Sequence, residues 1–245
     1  MLPIAILAGG LAKRIRPVTE KMPKALIDIN GRPFIDYQLK LLASSGIKKA
    51  VLCVGFLGGQ IEGHVGGGGR YGLNVEYSYD GENPLGTGGA IKKAIPLLGG
   101  RFFILYGDSY LPIDYNAVEK AFLRSEKSGL MTVYRNGGQW DTSNVVYAPG
   151  KDAASDGSVI RYDKKNPSPE MEYIDYGLSC CCASALDSEQ SDTFDIADTF
   201  ARLSNGGQLA GFEATERFYE IGSFAGMEDF RRYAEDLCPM ADFPI

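Results

Sequence analysis

The chain of 245 residues has few of the residues that several common types of site require. It contains a single histidine, His64, so a histidine-based metal cluster or a Ser-His-Asp catalytic triad has little support. Its five cysteines form no CxxC pair, and Cys180, Cys181 and Cys182 are consecutive. This pattern predicts buried, reduced thiols in a cytoplasmic protein rather than a disulfide framework.

Two further absences concern membranes and nucleic acids. No apolar run approaches the roughly 20 residues that a membrane-spanning helix needs, and residues 1–7 lack the basic and long apolar regions of a signal peptide. The 25 Lys and Arg residues are outnumbered by 31 Asp and Glu residues, which gives a net charge of −6. Because nucleic-acid-binding domains are normally basic, we expect neither a nucleic acid nor a membrane as a partner.

The chain does have a glycine turn followed by clustered positive charge near its start. A strand-like run ends in Leu7-Ala8-Gly9-Gly10, and the cationic residues after it include Arg14 and Lys24. Glycine allows backbone N–H groups to approach phosphate oxygens closely, and cationic side chains neutralise phosphoryl charge. The stretch therefore predicts a polyphosphate site, although it matches neither the G-x-x-x-x-G-K-[ST] spacing nor a dinucleotide fingerprint with a third glycine.

Apolar runs and helical patterns alternate in the first half of the chain. This rhythm predicts a parallel sheet covered on both faces, with a ligand loop at the carboxyl ends of its strands. Past Asp108 strands dominate, and those over residues 130–134, 144–148, 159–162 and 173–183 are predicted to extend the sheet in antiparallel pairs. Two later helices are predicted to begin at capping residues, Asp114 and Asp195.

Five motifs together resemble the signature of sugar-1-phosphate nucleotidylyltransferases. They read Leu7-Ala8-Gly9-Gly10 with Arg14, Arg16-Pro17 and Pro23-Lys24; Gly86-Thr87-Gly88-Gly89-Ala90; Gly107-Asp108; Asp175-Tyr176-Gly177; and Tyr219-Glu220-Ile221-Gly222-Ser223. They follow the family's order and cover nearly the whole chain. The resemblance implies an α/β fold, a Rossmann-like three-layer mixed sheet with added antiparallel sugar-binding strands. We expect one domain over residues 1–245, with a mainly nucleotide-binding half (1–110) and a mainly sugar-binding half (111–245).

The resemblance implies transfer of a nucleotidyl group from an NTP to a sugar 1-phosphate. Two anions must meet in this reaction, and two unit charges about 4 Å apart repel by about 4 kcal/mol at an effective dielectric near 20, so cations must surround them. We predict that Arg14 contacts the triphosphate and the leaving group, and that Lys24 contacts the α-phosphoryl oxygens. The predicted nucleotide-binding residues are Leu7, Ala8, Gly9, Gly10, Gly86, Thr87, Gly88 and Gly89.

A metal site is predicted from two carboxylates. Asp108 follows an apolar strand and a glycine, where it can reach a Mg²⁺ that bridges phosphate oxygens; the alternative is a turn-capping aspartate. The resembling family usually has a second carboxylate, an aspartate, before the late Ile-Gly pair, and this chain has Glu220 there. We therefore expect Mg²⁺ as the cofactor, held by Asp108 and Glu220.

The sugar side is predicted from the resemblance as well. It places hydroxyl contacts at Asp175 and Gly177, and a sugar-phosphate lysine at either Lys164 or Lys165, between which the sequence does not choose. Asn144 is a further candidate for facing the sugar.

The choice of base and sugar has several candidates. Without repeats or an appended left-handed helix, the chain resembles heptose- and mannose-1-phosphate guanylyltransferases and the N-acetylmuramate-1-phosphate uridylyltransferase. The run from Tyr106 to Tyr110 favours GTP with a heptose- or mannose-type 1-phosphate, with UTP or CTP as alternatives. Ala12 replaces a loop glycine and Glu220 replaces an aspartate, which keeps open a catalytically weak, sugar-nucleotide-binding regulatory protein. A dinucleotide oxidoreductase is the third class, and the sequence predicts no oligomeric state.

Overall fold

The computed structural model describes residues 1–10, 18–150 and 157–237. Its strands are β1 (Ile4–Leu7), β2 (Asp28–Ile29), β3 (Arg32–Pro33), β4 (Lys49–Val54), β5 (Asn74–Tyr79), β6 (Arg101–Tyr106), β7 (Ser109–Tyr110), β8 (Gly129–Arg135), β9 (Val145–Ala148), β10 (Gly157–Tyr162), β11 (Tyr173–Cys182), β12 (Leu209–Ala214) and β13 (Tyr219–Glu220). Its α-helices are α1 (Phe34–Ser44), α2 (Gly58–Val65), α3 (Gly86–Leu98), α4 (Tyr115–Ser125), α5 (Ile196–Asn205) and α6 (Phe224–Leu237).

The main sheet of the described residues is mixed and has the strand order β5-β4-β1-β6-β11-β8-β12-β10-β9. The first four strands in this order are parallel to one another, as the apolar runs predict. Strand β11 then pairs antiparallel with both β6 and β8. The expectation of antiparallel pairs is confirmed among β8, β9, β10 and β11. Strand β12, for which the sequence predicts no direction, runs parallel to β8 because α5 returns the chain to the same end of the sheet.

Helices cover both faces of this sheet, so the fold has the three layers that the sequence predicts. Alternation along β1 shows the arrangement: Ile4 and Ile6 belong to a buried cluster that includes residues of α1, α2 and α4. Ala5 points to the other face, where the cluster includes residues of α3 and α5. All three side chains are fully buried, which identifies β1 as a central strand.

A third buried cluster joins the early hairpin β2–β3 to α6. The hairpin turn is Asn30-Gly31, and both residues have positive φ values (53° and 84°), as a tight primed turn requires. The ring of Phe230 in α6 lies 5.1 Å from that of Phe34 at the start of α1, and Asn30 Nδ2 donates to Arg231 O at 2.9 Å. Segments about 200 residues apart in the chain therefore pack directly against each other here.

The two predicted helix caps are confirmed. Asp114 caps α4 by accepting from the backbone of Asn116 and Ala117, and Asp195 caps α5 by accepting from Ala197 N. Strand β2 begins only at Asp28, because Pro23 precedes a 3₁₀ turn over Lys24–Leu26. The described residues include no helix that is long and apolar enough to cross a membrane.

Candidate functional site

A cavity of about 280 Å³ opens at the carboxyl ends of the four parallel strands β5, β4, β1 and β6. This is the edge of an open α/β sheet where ligands usually bind. The described residues that line it are Leu7, Ala8, Gly9, Gly10, Lys24, Ala25, Cys53, Asp80, Pro84, Gly86, Thr87, Ala90, Tyr106, Gly107 and Asp108. The structure therefore brings together most of the residues that the sequence predicts for nucleotide binding, together with Lys24 and Asp108.

Lys24 and Asp108 form an ion pair at this cavity. Lys24 Nζ donates to Asp108 Oδ2 at 2.8 Å, and the two side chains are 17% and 29% exposed. Lys24 is placed by the 3₁₀ turn that follows Pro23, in which Ile27 N donates to Lys24 O at 3.0 Å. Because both side chains are partly open to the cavity, a charged ligand can reach them and replace the ion pair with its own contacts to each.

The turn that carries Asp108 is held by backbone contacts. Gly107 N donates to Leu7 O at 3.0 Å, and a Cβ on Gly107 would lie only 2.6 Å from that oxygen, so a larger residue cannot approach β1 as closely. The buried side chain of Gln38 donates from Nε2 to the carbonyl oxygens of Tyr106 and Ser109, at 3.1 and 2.8 Å. These contacts fix the position of Asp108 at the end of β6.

Glu220 lies in β13, which pairs with β7 directly after Asp108. Ile221 N donates to Asp108 O at 3.0 Å. The Glu220 carboxylate also supports the start of α6, because it accepts from Gly222 N and, at 2.8 Å, from Ser223 Oγ. A carboxylate offers about four acceptor sites, so these two bonds leave lone pairs for another ligand.

Gly222 leaves a small space between the charged groups of the site. A Cβ at this position would lie 2.5 Å from Glu220 Oε2, 3.3 Å from Asp108 Oδ2 and 3.5 Å from Lys24 Nζ. The two carboxylates and the ammonium group therefore surround one point, and the absence of a side chain on Gly222 keeps that point open. The sequence motif predicts the two carboxylates, but only the structure shows the role of this glycine.

The turn Gly86–Gly89 divides into a part at the cavity and a part that packs inside the protein. Gly86 and Thr87 line the cavity. Gly88 and Gly89 do not: a Cβ on Gly88 would lie 2.1 Å from the Phe194 ring, and one on Gly89 would lie 2.1 Å from Asp192 O. Gly88 N donates to Phe194 O at 2.9 Å, so this backbone donor serves the fold.

Thr87 links the same turn to α5. Its Oγ1 donates to Asp195 Oδ1 at 2.7 Å and accepts from Ile196 N at 2.9 Å. Thr87 therefore completes the N-terminal cap of α5, in addition to lining the cavity.

Asp175 and Lys164 face each other on the other side of Tyr106. Asp175 has a side chain that is only 8% exposed, its Oδ1 accepts from Gly177 N at 3.0 Å, and its Oδ2 lies 3.9 Å from Lys164 Nζ. Burial raises the pKa of Asp175, and the nearby Lys164 opposes that rise. Gly177 has a φ of +107° at an irregularity in the pairing of β11 with β8, which turns this stretch out of the regular ladder.

The two candidate lysines point in different directions. Lys165 Nζ forms an ion pair with Asp198 Oδ1 at 2.7 Å, and its side chain is 74% exposed. Both lysines lie in a turn that Asp163 holds: its Oδ1 accepts from the backbone N–H groups of Lys165 and Asn166, both at 2.9 Å. Hydrogen bonds, that from the Asn166 backbone amide above all, lower the pKa of Asp163 to about 2.

Asn144 has a supporting position rather than a place in the cavity wall. Its Oδ1 accepts from Asp175 N at 3.1 Å, and its own N–H donates to Tyr173 O at 2.9 Å. It therefore holds the strand that carries Asp175. Arg14 and Ala12 lie outside the described residues.

Comparison with known proteins agrees with this geometry. The family model described as "Nucleotidyl transferase" matches residues 4–178, a stretch that contains β1, Lys24, Asp108 and Asp175. The chain belongs to the nucleotidyl transferase family. This membership argues against the dinucleotide oxidoreductase alternative.

Curated relatives in the nucleotidyl transferase family differ in the nucleotide that they use. The N-acetylmuramate α-1-phosphate uridylyltransferase of Neisseria meningitidis is 42% identical over 113 residues, which cover 46% of this chain and 49% of the relative. The D-glycero-α-D-manno-heptose 1-phosphate guanylyltransferase of Aneurinibacillus thermoaerophilus is 43% identical over 90 residues, covering 36% and 38%. The matches thus span half or less of these relatives.

A solved structure supports the fold over a greater length. The crystal structure of HddC from Yersinia pseudotuberculosis complexed with GMP-PN has a TM-score of 0.75 to this chain. The similarity covers 96% of this chain and 100% of the other, at 22% sequence identity. It confirms the Rossmann-like α/β architecture.

Members of the nucleotidyl transferase family are generally dependent on a divalent metal. The residues at Gly222 fit such an ion, because two carboxylates with hard oxygen donors surround a space that a Cβ would fill. The described residues contain no group of three or more His, Cys, Asp or Glu side chains that could hold a metal by themselves. Two carboxylates suit a Mg²⁺ ion that takes its other ligands from substrate phosphates and water.

Sequence reasoning missed two residues of the cavity, Asp80 and Tyr106, as functional candidates. Asp80 follows β5; burial raises the pKa of its carboxyl group, opposed by a hydrogen bond with the Leu85 backbone and by the charge of Lys93. A partly buried aspartate at the end of a parallel strand is the signal that could have identified it. Burial and the nearby Asp175, Asp195 and Asp108 raise the pKa of Tyr106 well above its usual value, so its hydroxyl group stays protonated.

Proposed function

We propose that the chain transfers a nucleotidyl group from GTP to a heptose- or mannose-type sugar 1-phosphate and releases pyrophosphate. One observation carries this proposal. The cavity at the strand ends holds the Lys24–Asp108 pair beside Glu220, and Tyr106 connects that cavity to the Lys164–Asp175 pair. Residues 1–110 then mainly bind the nucleotide, and residues 111–245 mainly bind the sugar.

The reaction requires the meeting of two anions. A phosphate oxygen of the sugar 1-phosphate attacks the α-phosphorus of GTP, and the bond from that phosphorus to the bridging oxygen of the β-phosphate breaks as pyrophosphate leaves. Lys24 Nζ neutralises charge on the α-phosphoryl oxygens when it moves from Asp108 to the ligand. We assign the triphosphate and leaving-group contact to Arg14.

We assign a Mg²⁺ site to Asp108 and Glu220. When bound, Mg²⁺ would lower the negative charge of the phosphates and orient them for displacement. The two carboxylates are held in place independently of any ion, Asp108 by the turn that Gln38 clamps and Glu220 by Gly222 N and Ser223 Oγ. This arrangement reduces the reorganisation needed on binding.

Asp80 favours guanine as the base. Its carboxylate reaches the cavity beside Gly9 and Gly55: Oδ2 lies 3.4 and 3.2 Å from the points where a Cβ on each would sit. An ionised carboxylate only accepts hydrogen bonds. Guanine presents two adjacent donors, N1–H and N2–H, whereas uracil presents one donor between two carbonyl oxygens that the carboxylate would repel.

On the sugar side we assign Lys164, rather than Lys165, to the phosphate and Asp175 to hydroxyl groups. Lys164 Nζ lies within 3.4 Å of Tyr106 OH, a cavity residue, whereas Lys165 is paired with the exposed Asp198. Gly177 and Asn144 support Asp175 through its side chain and its backbone N–H.

The test is a panel of GTP, UTP, CTP and ATP, each paired with heptose, mannose, glucose and N-acetylmuramate 1-phosphates in the presence of Mg²⁺. Pyrophosphate release is measured for every pair. We expect the highest kcat/KM with GTP and a heptose- or mannose-type phosphate. Faster turnover of UTP or CTP would overturn the choice of base alone, whereas tight nucleotide binding without pyrophosphate release in any pair would indicate a regulatory protein.

A further inference from the structure

Tyr106 occupies the boundary between the two substrate regions of the proposed site. It is the last residue of β6, and it lines the cavity with Gly107 and Asp108. Its hydroxyl group contacts a lysine of the other half of the chain: Lys164 Nζ donates to Tyr106 OH at 3.4 Å. Lys164 Nζ also lies 5.4 Å from the centre of the Tyr106 ring.

The other contacts of the Lys164 ammonium group are longer than its bond to Tyr106, and one of them is to the Tyr162 ring, whose centre lies 5.8 Å away. The Asp175 carboxylate lies 3.9 Å away, which is an ion-pair distance but too long for a good hydrogen bond. Asp175 itself is fixed, because Gly177 N donates to one of its oxygens and Tyr162 OH approaches the other at 3.4 Å. The Lys164 side chain is 39% exposed to solvent, and its hydrogen bond to Tyr106 OH holds the ammonium group near the cavity.

The geometry points to Tyr106 as a positioning residue that holds Lys164 at the phosphate of the sugar 1-phosphate. This inference rests on the proposed function. An ammonium group has three donors, so Lys164 can keep its bond to Tyr106 and still donate to a phosphate oxygen. Restricting a long side chain before the substrate arrives lowers the entropy lost on binding.

The first experiment compares Tyr106→Phe with the wild type in steady-state kinetics. The substitution keeps the ring and removes the hydroxyl group. We expect KM for mannose 1-phosphate to rise about 10-fold, in line with the loss of one hydrogen bond to a charged group, while KM for GTP changes less than about twofold. Equal changes in both KM values, or no change in either, would overturn the inference. Tyr77→Phe is the matched control: it also removes a hydroxyl group that makes one hydrogen bond, from Tyr77 OH to Gly66 O, but Tyr77 lies in β5 and does not line the cavity.

A double-mutant cycle tests whether Tyr106 acts through Lys164. If it does, Lys164→Ala combined with Tyr106→Phe should raise KM for mannose 1-phosphate no more than Lys164→Ala alone. Additive effects would show that Tyr106 acts independently of Lys164 and would overturn the positioning role. Urea unfolding of each variant identifies any general loss of stability.

A binding measurement separates failure of this inference from failure of the proposed function. Calorimetry measures the Kd of mannose 1-phosphate for each protein with a non-hydrolysable GTP analogue and Mg²⁺ present. If the wild type binds both ligands but releases no pyrophosphate, the proposed function fails, and a 10-fold rise in Kd for Tyr106→Phe would still support the positioning role. An unchanged Kd in that variant would overturn the inference whether or not the wild type turns over.

Discussion

Lys24 and Asp108 neutralise each other in the ligand-free site, with 2.8 Å between Nζ and Oδ2, although one lies before the first helix and the other follows β6. Each is a candidate for binding the opposite charge of a substrate or metal. The ion pair therefore places an ammonium group that can bind phosphate next to a carboxylate that can bind a metal ion. Binding of the substrate and the metal ion must separate the two side chains.

Asp108→Asn tests the carboxylate of this pair. We expect turnover to fall at least about 100-fold at saturating GTP, sugar 1-phosphate and Mg²⁺, because several kcal/mol of charge stabilisation would be lost. Pyrophosphate release measures the effect. Asp114→Asn is the matched control, since Asp114 caps α4 and asparagine caps a helix as well as aspartate does. Near-normal turnover of Asp108→Asn would refute the metal assignment.

Gly222→Ala tests the open space between the charged groups. The added Cβ would lie 2.5 Å from Glu220 Oε2. That oxygen accepts from Gly222 N, and the other carboxylate oxygen, Oε1, accepts from Ser223 Oγ, so the carboxylate is held in place. Moving the carboxylates by even 1 Å should lower turnover about 100-fold, and overpacking should cost about 1–3 kcal/mol of unfolding free energy. Mg²⁺ titration of the rate should show a raised half-saturation concentration. Gly59→Ala is the control, because a Cβ there would meet nothing within 4 Å.

Substituting each of the neighbouring lysines separately tests which one serves the sugar phosphate. We expect Lys164→Ala to raise KM for the sugar 1-phosphate at least about 10-fold, since a charged hydrogen bond is lost. Lys165→Ala should leave it within about twofold, because Lys165 pairs with the exposed Asp198 and such surface pairs contribute little. The reverse result would assign the phosphate to Lys165 and contradict the proposed arrangement.

Asp80→Asn tests the choice of base. Asparagine offers one acceptor and one donor, which match N3–H and a carbonyl oxygen of uracil but not the two donors of guanine. We expect the ratio of kcat/KM for GTP to that for UTP to fall about 10- to 100-fold, measured with the two nucleotides in competition. A constant ratio would show that Asp80 does not face the base.

The same substitution has a predicted effect on stability. Burial raises the pKa of Asp80, so its charged form opposes folding at any pH above that raised pKa. Asp80→Asn should therefore be more stable than the wild type in urea at pH 7. The gain should shrink as the pH falls toward the ordinary aspartate pKa of about 3.9, where both states are increasingly protonated. Lower stability of the variant at pH 7 would contradict this cause of the shift.

Much of the fold could be predicted from local signals. Strands with buried centres, such as β1 and β6, appear as apolar runs, and the caps at Asp114 and Asp195 are determined by residues within three positions of the helix start. The direction of β12 could not be predicted in this way, because parallel pairing with β8 depends on how α5 packs, not on the strand's own sequence.

The candidate site could be predicted only in part, since motifs name residues without their partners. Gly88 and Gly89 match a nucleotide motif, yet their lack of a side chain accommodates Phe194 and Asp192, more than 100 residues later. Lys164 and Lys165 have the same chemistry, and only the turn at Asp163 and the position of Asp198 separate them. Asp80 belongs to none of the five sequence motifs, and it becomes a candidate only because the structure places it in the cavity wall.

The packing of α6 against the early hairpin has a consequence for synthesis of the protein. A nascent chain that has emerged as far as residue 215 already contains Lys24 and Asp108, but it lacks the Phe230 ring that packs against Phe34. Contacts between segments so distant in sequence form late, because a long loop must close first. Until α6 has been translated, the apolar side of the hairpin is therefore exposed to chaperones, and a chain that ends at residue 215 also lacks Glu220 and so has no complete site.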